Sequence, residues 1–237
     1  MSPQAHGTPA RARAVVRAGI AVAAATLAAC LALAGCNTAR VLAPPPPLRA
    51  ASAATFALDV EFAEPLSKSS AEDPSHYTLT PVAGGPAAAV TTATLVDTLN
   101  GRVVQLLVPD WLSNDPDGTD WTVTSNGVLT VYGRSTGTRS TTFRAGLSYA
   151  APLKELFDAR CNSCHGPARA DGSYRTDSYT GLLGNGVDAT PNLIPGDPTC
   201  LIVRKCRPRN SMFNLGELTY FEYELLLNWV TNFNARP

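Results

Sequence analysis

The sequence predicts a multidomain protein in which an all-β sandwich is followed by an all-α domain. Between residues 54 and 145, short runs of alternating apolar residues are broken by turn residues, as in half-buried strands. From residue 146 onward, the apolar residues recur at helical spacing. The 237 residues are enough for two small domains with separate cores. We therefore assign the sandwich to residues 54–145 and the helical domain to residues 146–237.

An export signal precedes the folded part. Residues 1–35 carry three arginines, no acidic residue and an apolar run that is short for a transmembrane helix. The end of this run, LAGC, resembles the lipobox of bacterial lipoproteins, which implies cleavage before Cys36 and acylation of that cysteine. We expect a lipid-anchored protein of the cell envelope, held at an outer membrane and facing the periplasm or the cell surface. A retained signal anchor is the alternative.

A tether is predicted between the lipid and the folded part. Residues 36–53 contain four consecutive prolines, which favour the extended polyproline II conformation. Basic and acidic residues balance at 19 each over the whole chain, so the charge gives no indication of a nucleic-acid partner.

Six runs in the sandwich segment alternate as strands do: TFALDVEF, HYTLTPV, TTATLV, RVVQLLV, DWTVTS and GVLTVYG. In the first run, the predicted core face consists of Phe56, Leu58, Val60 and Phe62. Asn-Gly pairs at 100–101 and 126–127 fall between runs, where two-residue hairpins need a positive φ. The segment VEFAEPLSKSSAEDPSHYTL resembles the opening of bacterial Ig-like domains, so an Ig-like sandwich is expected.

The helical segment contains the motif CNSCHG at residues 161–166. In C-x-x-C-H, the cysteines are spaced to form thioethers with two haem vinyl groups, and the histidine lies under the iron. A redox dithiol would need a βαβ surround, which the sequence does not predict. A zinc site is a weaker alternative, because the second pair, Cys200 and Cys206, has five intervening residues instead of the usual two to four.

Two helices are predicted around this motif. PLKELFDAR, residues 152–160, has its apolar residues on one face and a proline in its first turn. A T-x-x-E capping box at Thr219 and Glu222 predicts that the last helix begins near Thr219. The apolar stripe of that helix consists of Phe221, Leu225, Leu226, Trp229 and Val230.

Residues 151–237 resemble the monohaem c-type cytochromes in CNSCHG, in NLIPGDPTCLIVRKC and in the loop that carries Met212. The resemblance implies one haem c bound through Cys161 and Cys164, with His165 and Met212 as the iron ligands. It implies electron transfer with redox partner proteins and no enzymatic activity. In the middle segment, Cys200 stands where the family usually has a small polar residue, and Cys206 follows six residues later. We interpret this departure as an added Cys200–Cys206 disulfide, which export from the cytoplasm permits.

Two other functions are open at this point. If Met212 dissociates from the iron, the site becomes peroxidase-like or gas-sensing. If the Ig-like domain is the functional module, the chain is a cell-surface binding protein that recognises a polysaccharide or a protein.

Overall fold

Seven strands form two antiparallel sheets in the computed structural model, which describes residues 48–97, 99–109, 118–187 and 189–237. The four-stranded sheet has the order β1 (Arg49–Ala54), β2 (Ala57–Glu61), β5 (Val103–Leu107) and β4 (Thr92–Leu95). The three-stranded sheet has the order β3 (Tyr77–Pro81), β6 (Asp120–Asn126) and β7 (Thr138–Arg144). The arrangement is β-sandwich-like.

The core between the two sheets follows the predicted alternation. Leu58 pairs with Leu106 and Val60 with Val104 across β2 and β5, and all four side chains are fully buried. The facing sheet contributes the buried side chains of Leu79, Trp121, Val123 and Phe143 to the same core. Period-two patterning therefore locates this core correctly.

The Asn-Gly pairs do not form the predicted two-residue hairpins, because residues 96–102 connect β4 to β5 and residues 127–137 connect β6 to β7. Only the predicted positive φ of the two glycines is confirmed. Gly101 has φ +65° and Gly127 has φ +76°, a region that favours glycine. The turn before β5 is further held by the buried carboxylate of Asp97, which accepts backbone N–H bonds from Leu99, Asn100 and Arg102 at 2.9 to 3.1 Å.

The helices of the described part are short. They are α1 (Lys68–Ala71), α2 (Leu153–Arg160), α3 (Asn162–His165), α4 (Tyr179–Leu182), α5 (Leu201–Cys206), α6 (Ser211–Leu215) and α7 (Tyr220–Thr231). Two 3-10 turns lie at Pro74–His76 and Asp171–Ser173. Within the residues described, no helix has both the length and the apolar character needed to cross a bilayer.

The capping box of α7 is confirmed. The Thr219 hydroxyl accepts the backbone N–H of Glu222 at 3.2 Å, and the Glu222 carboxylate accepts the backbone N–H of Thr219 at 2.9 Å. The predicted apolar stripe of α7 is buried. Its centre is Trp229, whose ring lies 6.2 Å from Phe157 of α2, 6.5 Å from Tyr149 and 6.4 Å from Tyr179.

The helices form a third layer against the four-stranded sheet. Ala51 of β1 and Val103 of β5 belong to the same buried cluster as Phe157 and Trp229. Both faces of the four-stranded sheet are therefore covered, one by the other sheet and one by helices. This double cover explains why Asp59, next to the core residues Leu58 and Val60, is only 3% exposed.

The predicted fold class is wrong in its second half. Within the described residues no separate all-α cytochrome domain is present, because the helices share their core with the sheet and the described part forms one compact unit. The observed class is a β-sandwich-like unit with short helices packed on one sheet.

Three local predictions also differ from the structure. Strand β1 lies largely within the segment predicted as tether, residues 36–53. Phe56 is 52% exposed at the turn between β1 and β2, and is not part of the core. GVLTVYG forms isolated bridges, such as Leu129 with Ser135, in a turn-rich loop between β6 and β7.

Candidate functional site

The C-x-x-C-H segment forms one tight turn at the end of α2. Cys161 terminates α2 and caps α3, while Cys164 and His165 lie within α3. The backbone N–H groups of Cys164 and His165 both donate to the Cys161 carbonyl, at 3.1 and 2.9 Å. Gly166 is required next, because a Cβ there would lie 2.3 Å from the Asn162 carbonyl oxygen. The turn therefore places Cys161 at the start of α3, with Cys164 and His165 one turn further along it.

His165 is held mainly through its backbone. Its carbonyl accepts the backbone N–H of Thr176 at 2.8 Å, and the Thr176 hydroxyl donates to Asn162 Oδ1 at 2.6 Å. The ring atom Nδ1 is buried and has no hydrogen-bond partner among the described residues. A buried ring nitrogen without a hydrogen-bond partner is uncommon in proteins.

Met212 lies in α6 and is half-buried. It packs against the cluster shared by helices and sheet, as does Cys161, while Cys200 and Cys206 belong to that cluster. Cys164 and His165 are half-buried and lie outside the cluster. The structure thus gathers four of the predicted site residues around one core.

The thiols of Cys161 and Cys206 are not activated nucleophiles. Burial raises the pKa of Cys161 to about 11, and the nearby Glu222 carboxylate acts in the same direction. Burial also raises the pKa of Cys206, with the negative charge of a neighbouring Cys161 thiolate adding to the shift. Both groups are therefore neutral thiols at neutral pH, whereas a nucleophilic cysteine needs a lowered pKa.

Cys200 and Cys206 are free thiols in the structure. Cys200 is the N-cap of α5 and Cys206 is its last residue. Six residues of helix separate their Cα atoms by ~9 Å, beyond the reach of a disulfide without backbone movement. The structure therefore does not contain the predicted Cys200–Cys206 bond.

A second candidate site is the open face of the three-stranded sheet. Its central rows are hydroxyls that lie opposite one another across three strands: Thr80, Thr122 and Thr142 in one row, and Thr78, Thr124 and Ser140 in the next. Asn126 and Thr138 extend the array between β6 and β7. We call these eight residues the hydroxyl face. All are exposed or half-buried.

Hydrogen bonds between strands order the hydroxyl face. Thr124 Oγ1 and Ser140 Oγ are 2.8 Å apart, and Thr138 Oγ1 donates to Asn126 Oδ1 at 3.0 Å. The face contains no charged residue, and an ion pair between Asp120 and Arg144, 3.7 Å apart, lies at one end of it. The array is therefore polar, uncharged and fixed by the sheet.

The chain matches no protein-family description and no curated protein. Among solved structures, three of the surface layer protein SbsC are similar. The similarity is to "surface layer protein SbsC, domains 1-6" at 21% identity and TM-score 0.38, to "the N-terminal part of the bacterial S-layer protein SbsC" at 19% and 0.36, and to "the S-layer protein rSbsC(31-844)" at 19% and 0.37. The matches cover 46%, 43% and 47% of this chain, and only 14%, 24% and 15% of those chains.

The assignment to the monohaem c-type cytochromes is wrong. The described part of the chain has no group of three or more His, Cys, Asp or Glu side chains that could hold a metal ion. Its helices form a layer on a sheet and not a cytochrome domain. The predicted function, electron transfer, is therefore wrong as well.

The predicted haem attachment, iron ligands and acylation site are not tested by these observations. Covalent attachment needs only the C-x-x-C-H segment, so haem c at Cys161 and Cys164 stays a prediction, as do the ligands His165 and Met212. Cys36 lies outside the described residues, and its acylation also stays a prediction.

The hydroxyl face was missed at the level of sequence, although a signal for it is present. In HYTLTP, DWTVTS and STTF, threonine or serine occupies the positions that alternate with buried Leu79, Trp121, Val123 and Phe143. The apolar half of the alternation locates the core. The polar residues of the alternation, when compared between neighbouring strands, locate the hydroxyl face.

Proposed function

We propose that this chain is an exported cell-envelope protein whose β-sandwich is the functional module, binding a neutral, hydroxyl-rich polysaccharide through the hydroxyl face. The observation that supports the proposal is the uncharged, strand-ordered array around Thr124, with Thr78 on one side and Ser140 on the other. Its chemistry suits a ligand that both donates and accepts hydrogen bonds along its length.

The dimensions of the array favour a polymer. Hydroxyls in one row are spaced by ~4.8 Å across strands, and successive rows by ~6.7 Å along a strand. Each hydroxyl is both a donor and an acceptor, and it can contact a sugar directly or through a bridging water. A flat grid of this kind offers many weak contacts to an extended chain. A charged polymer is disfavoured, because the face supplies no complementary charge.

The proposed location rests on the N-terminal sequence. A lipid on Cys36 and a proline-rich segment after it would hold the sandwich close to a membrane surface, at an outer membrane facing the periplasm or the cell surface. Catalysis is not part of the proposal, because the proposed site contributes only hydroxyl and amide groups.

Replacing Thr124 by glutamate is expected to weaken binding about tenfold, because the substitution puts an unpaired charge at the centre of the face and removes the bond to Ser140. The measurement is co-sedimentation of the full chain with an insoluble neutral glucan and with a purified envelope fraction. The matched control is Thr92→Glu, which adds the same charge to an exposed threonine of β4 in the other sheet. Equal binding by both variants, or preference for a polyanionic glycan, would overturn the proposal.

Haem c attachment at Cys161 and Cys164 is kept as a separate cofactor proposal. It is supported by the tight C-x-x-C-H turn, which brings Cys161 and Cys164 within one turn of the chain. In a host with c-type maturation machinery, we expect the full chain to retain a haem stain after denaturation, and the Cys161→Ala, Cys164→Ala double variant to lose it. A matured chain of unmodified mass with alkylatable Cys161 and Cys164 would refute the attachment.

A further inference from the structure

The face of α7 that meets the sheet is partly polar. Tyr220, Glu224, Asn228 and Asn232 recur at four-residue spacing, which places them along one side of the helix. The Asn232 amide donates to the Ala53 carbonyl of β1 at 2.8 Å and to Asn228 Oδ1 at 3.0 Å. Helix α7 is therefore held to the sheet by side-chain amides as well as by its apolar stripe.

Asp59 of β2 is the acidic residue of the sheet that this polar side of α7 contacts. Its Oδ2 accepts the Asn228 amide of α7 at 3.3 Å, and its Oδ1 accepts the Gln105 amide of β5 at 3.1 Å. The residue is 3% exposed, and no Lys, Arg or His of the described part forms an ion pair with it. The two amide bonds favour the ionised carboxylate, but ionisation buries a charge without a cation, and this burial outweighs the bonds.

The charged groups around Asp59 are mostly acidic. Burial raises the pKa of both Asp59 and Glu224, and the Glu224 carboxylate on α7 adds to the shift of Asp59. Asp97, in the turn before β5, adds to the shift of Glu224. Tyr220 on α7 shares a hydrogen bond with Glu224. Along β2, Glu61 is engaged by Arg49 at 3.0 Å. No element packed against Asp59 thus supplies it with a counter-charge within the described residues.

We propose that protonation of Asp59 controls the docking of α7 on the four-stranded sheet. With the carboxyl neutral, the amides of Asn228 and Asn232 and the apolar stripe hold the helix against β1 and β2. With the carboxyl ionised, the same contact buries a charge beside Glu224, and the helix is more weakly held. The interface is a pH-sensitive latch that is tighter in acid.

The direction follows from proton linkage. Burial, opposed in part by the hydrogen bonds from the Gln105 and Asn228 amides, raises the pKa of Asp59 from 3.8 to about 7. In the docked state, the Asp59 carboxyl therefore stays protonated at pH values where it ionises in the undocked state, whose pKa is close to the ordinary 3.8. Docking is strongest below that ordinary value, weakens as the pH rises towards 7, and changes little above it.

Hydrogen exchange tests this latch. In the full chain, protection factors of the α7 backbone amides are expected to fall by about tenfold or more between pH 5 and pH 8. In Asp59→Asn, an uncharged isostere, they should change by less than about threefold over the same range. The control Asp120→Asn, at the exposed end of β6, should behave as the unmodified chain does.

Two further measurements settle the outcome if Asp59→Asn folds poorly. Glu224→Gln removes the neighbouring charge, so the midpoint of the pH dependence should move to lower pH. Direct titration of the Asp59 carboxyl by carbon-13 NMR in the unmodified chain should give a midpoint well above that of an ordinary aspartate. An ordinary midpoint, or a pH dependence that persists in Asp59→Asn, would overturn the proposal.

Discussion

Replacing Trp229 by alanine is expected to lower the free energy of unfolding by about 3–5 kcal/mol, the usual cost of removing a large aromatic side chain from a core. Trp229 is fully buried, and its ring meets Phe157, Tyr149 and Tyr179. Its indole N–H donates to the Arg236 carbonyl at 2.9 Å. Typical domains have a total stability of about 5–15 kcal/mol, so the loss is large. Chemical denaturation measures it.

Tyr132→Ala is the matched control for this prediction. Tyr132 is an aromatic residue that is 74% exposed in the loop between β6 and β7, so its removal should change the stability by no more than about 0.5 kcal/mol. Trp229→Phe should fall in between, because the ring is partly kept and the N–H is lost. A Trp229→Ala variant as stable as Tyr132→Ala would show that the helical layer does not pack on the sheet as described.

Replacing Glu222 by alanine is expected to cost about 2–4 kcal/mol, because breaking a buried ion pair leaves its partners uncompensated. The carboxylate is 6% exposed and accepts Arg160 Nη2 of α2 at 3.1 Å and Arg49 Nη2 of β1 at 3.4 Å. It also closes the capping box with Thr219. The estimate lies below that for a fully buried pair, since Arg160 and Arg49 are partly exposed and regain water.

Glu217→Ala separates this effect from a simple loss of negative charge, because Glu217 is exposed and forms no ion pair with the other described residues. Its loss should be within about 0.5 kcal/mol of zero. Glu222→Gln should be intermediate, since an amide oxygen still accepts the Thr219 N–H. Thermal unfolding at constant pH compares the three variants, and equal midpoints for Glu222→Ala and Glu217→Ala would contradict the role assigned to Glu222.

Local signals in the sequence predict much of the fold. Alternation places Leu58 and Val60 in the core, Gly127 adopts the predicted positive φ, and Thr219 caps the last helix. Each of these features depends on residues close in sequence. Short-range physical rules therefore suffice for them.

The third layer could not be predicted in the same way. Alternation along β2 predicts that Asp59 faces solvent, and β1, with the sequence RAASAA, has no large apolar residue to mark it as a strand. Both are buried because helices more than 90 residues away in sequence pack on them. The predicted family implied that the helices form a separate domain. The C-x-x-C-H segment and the capping box are local features, and they carry no information about what the helices pack against.

We infer that the helical layer and the sandwich form one cooperative unit with a shared core. Differential scanning calorimetry of the full chain at pH 5, where α7 is expected to be docked, tests it directly. We predict one transition with equal calorimetric and van 't Hoff enthalpies. Two separable transitions, with the helical layer unfolding independently of the strands, would contradict the claim.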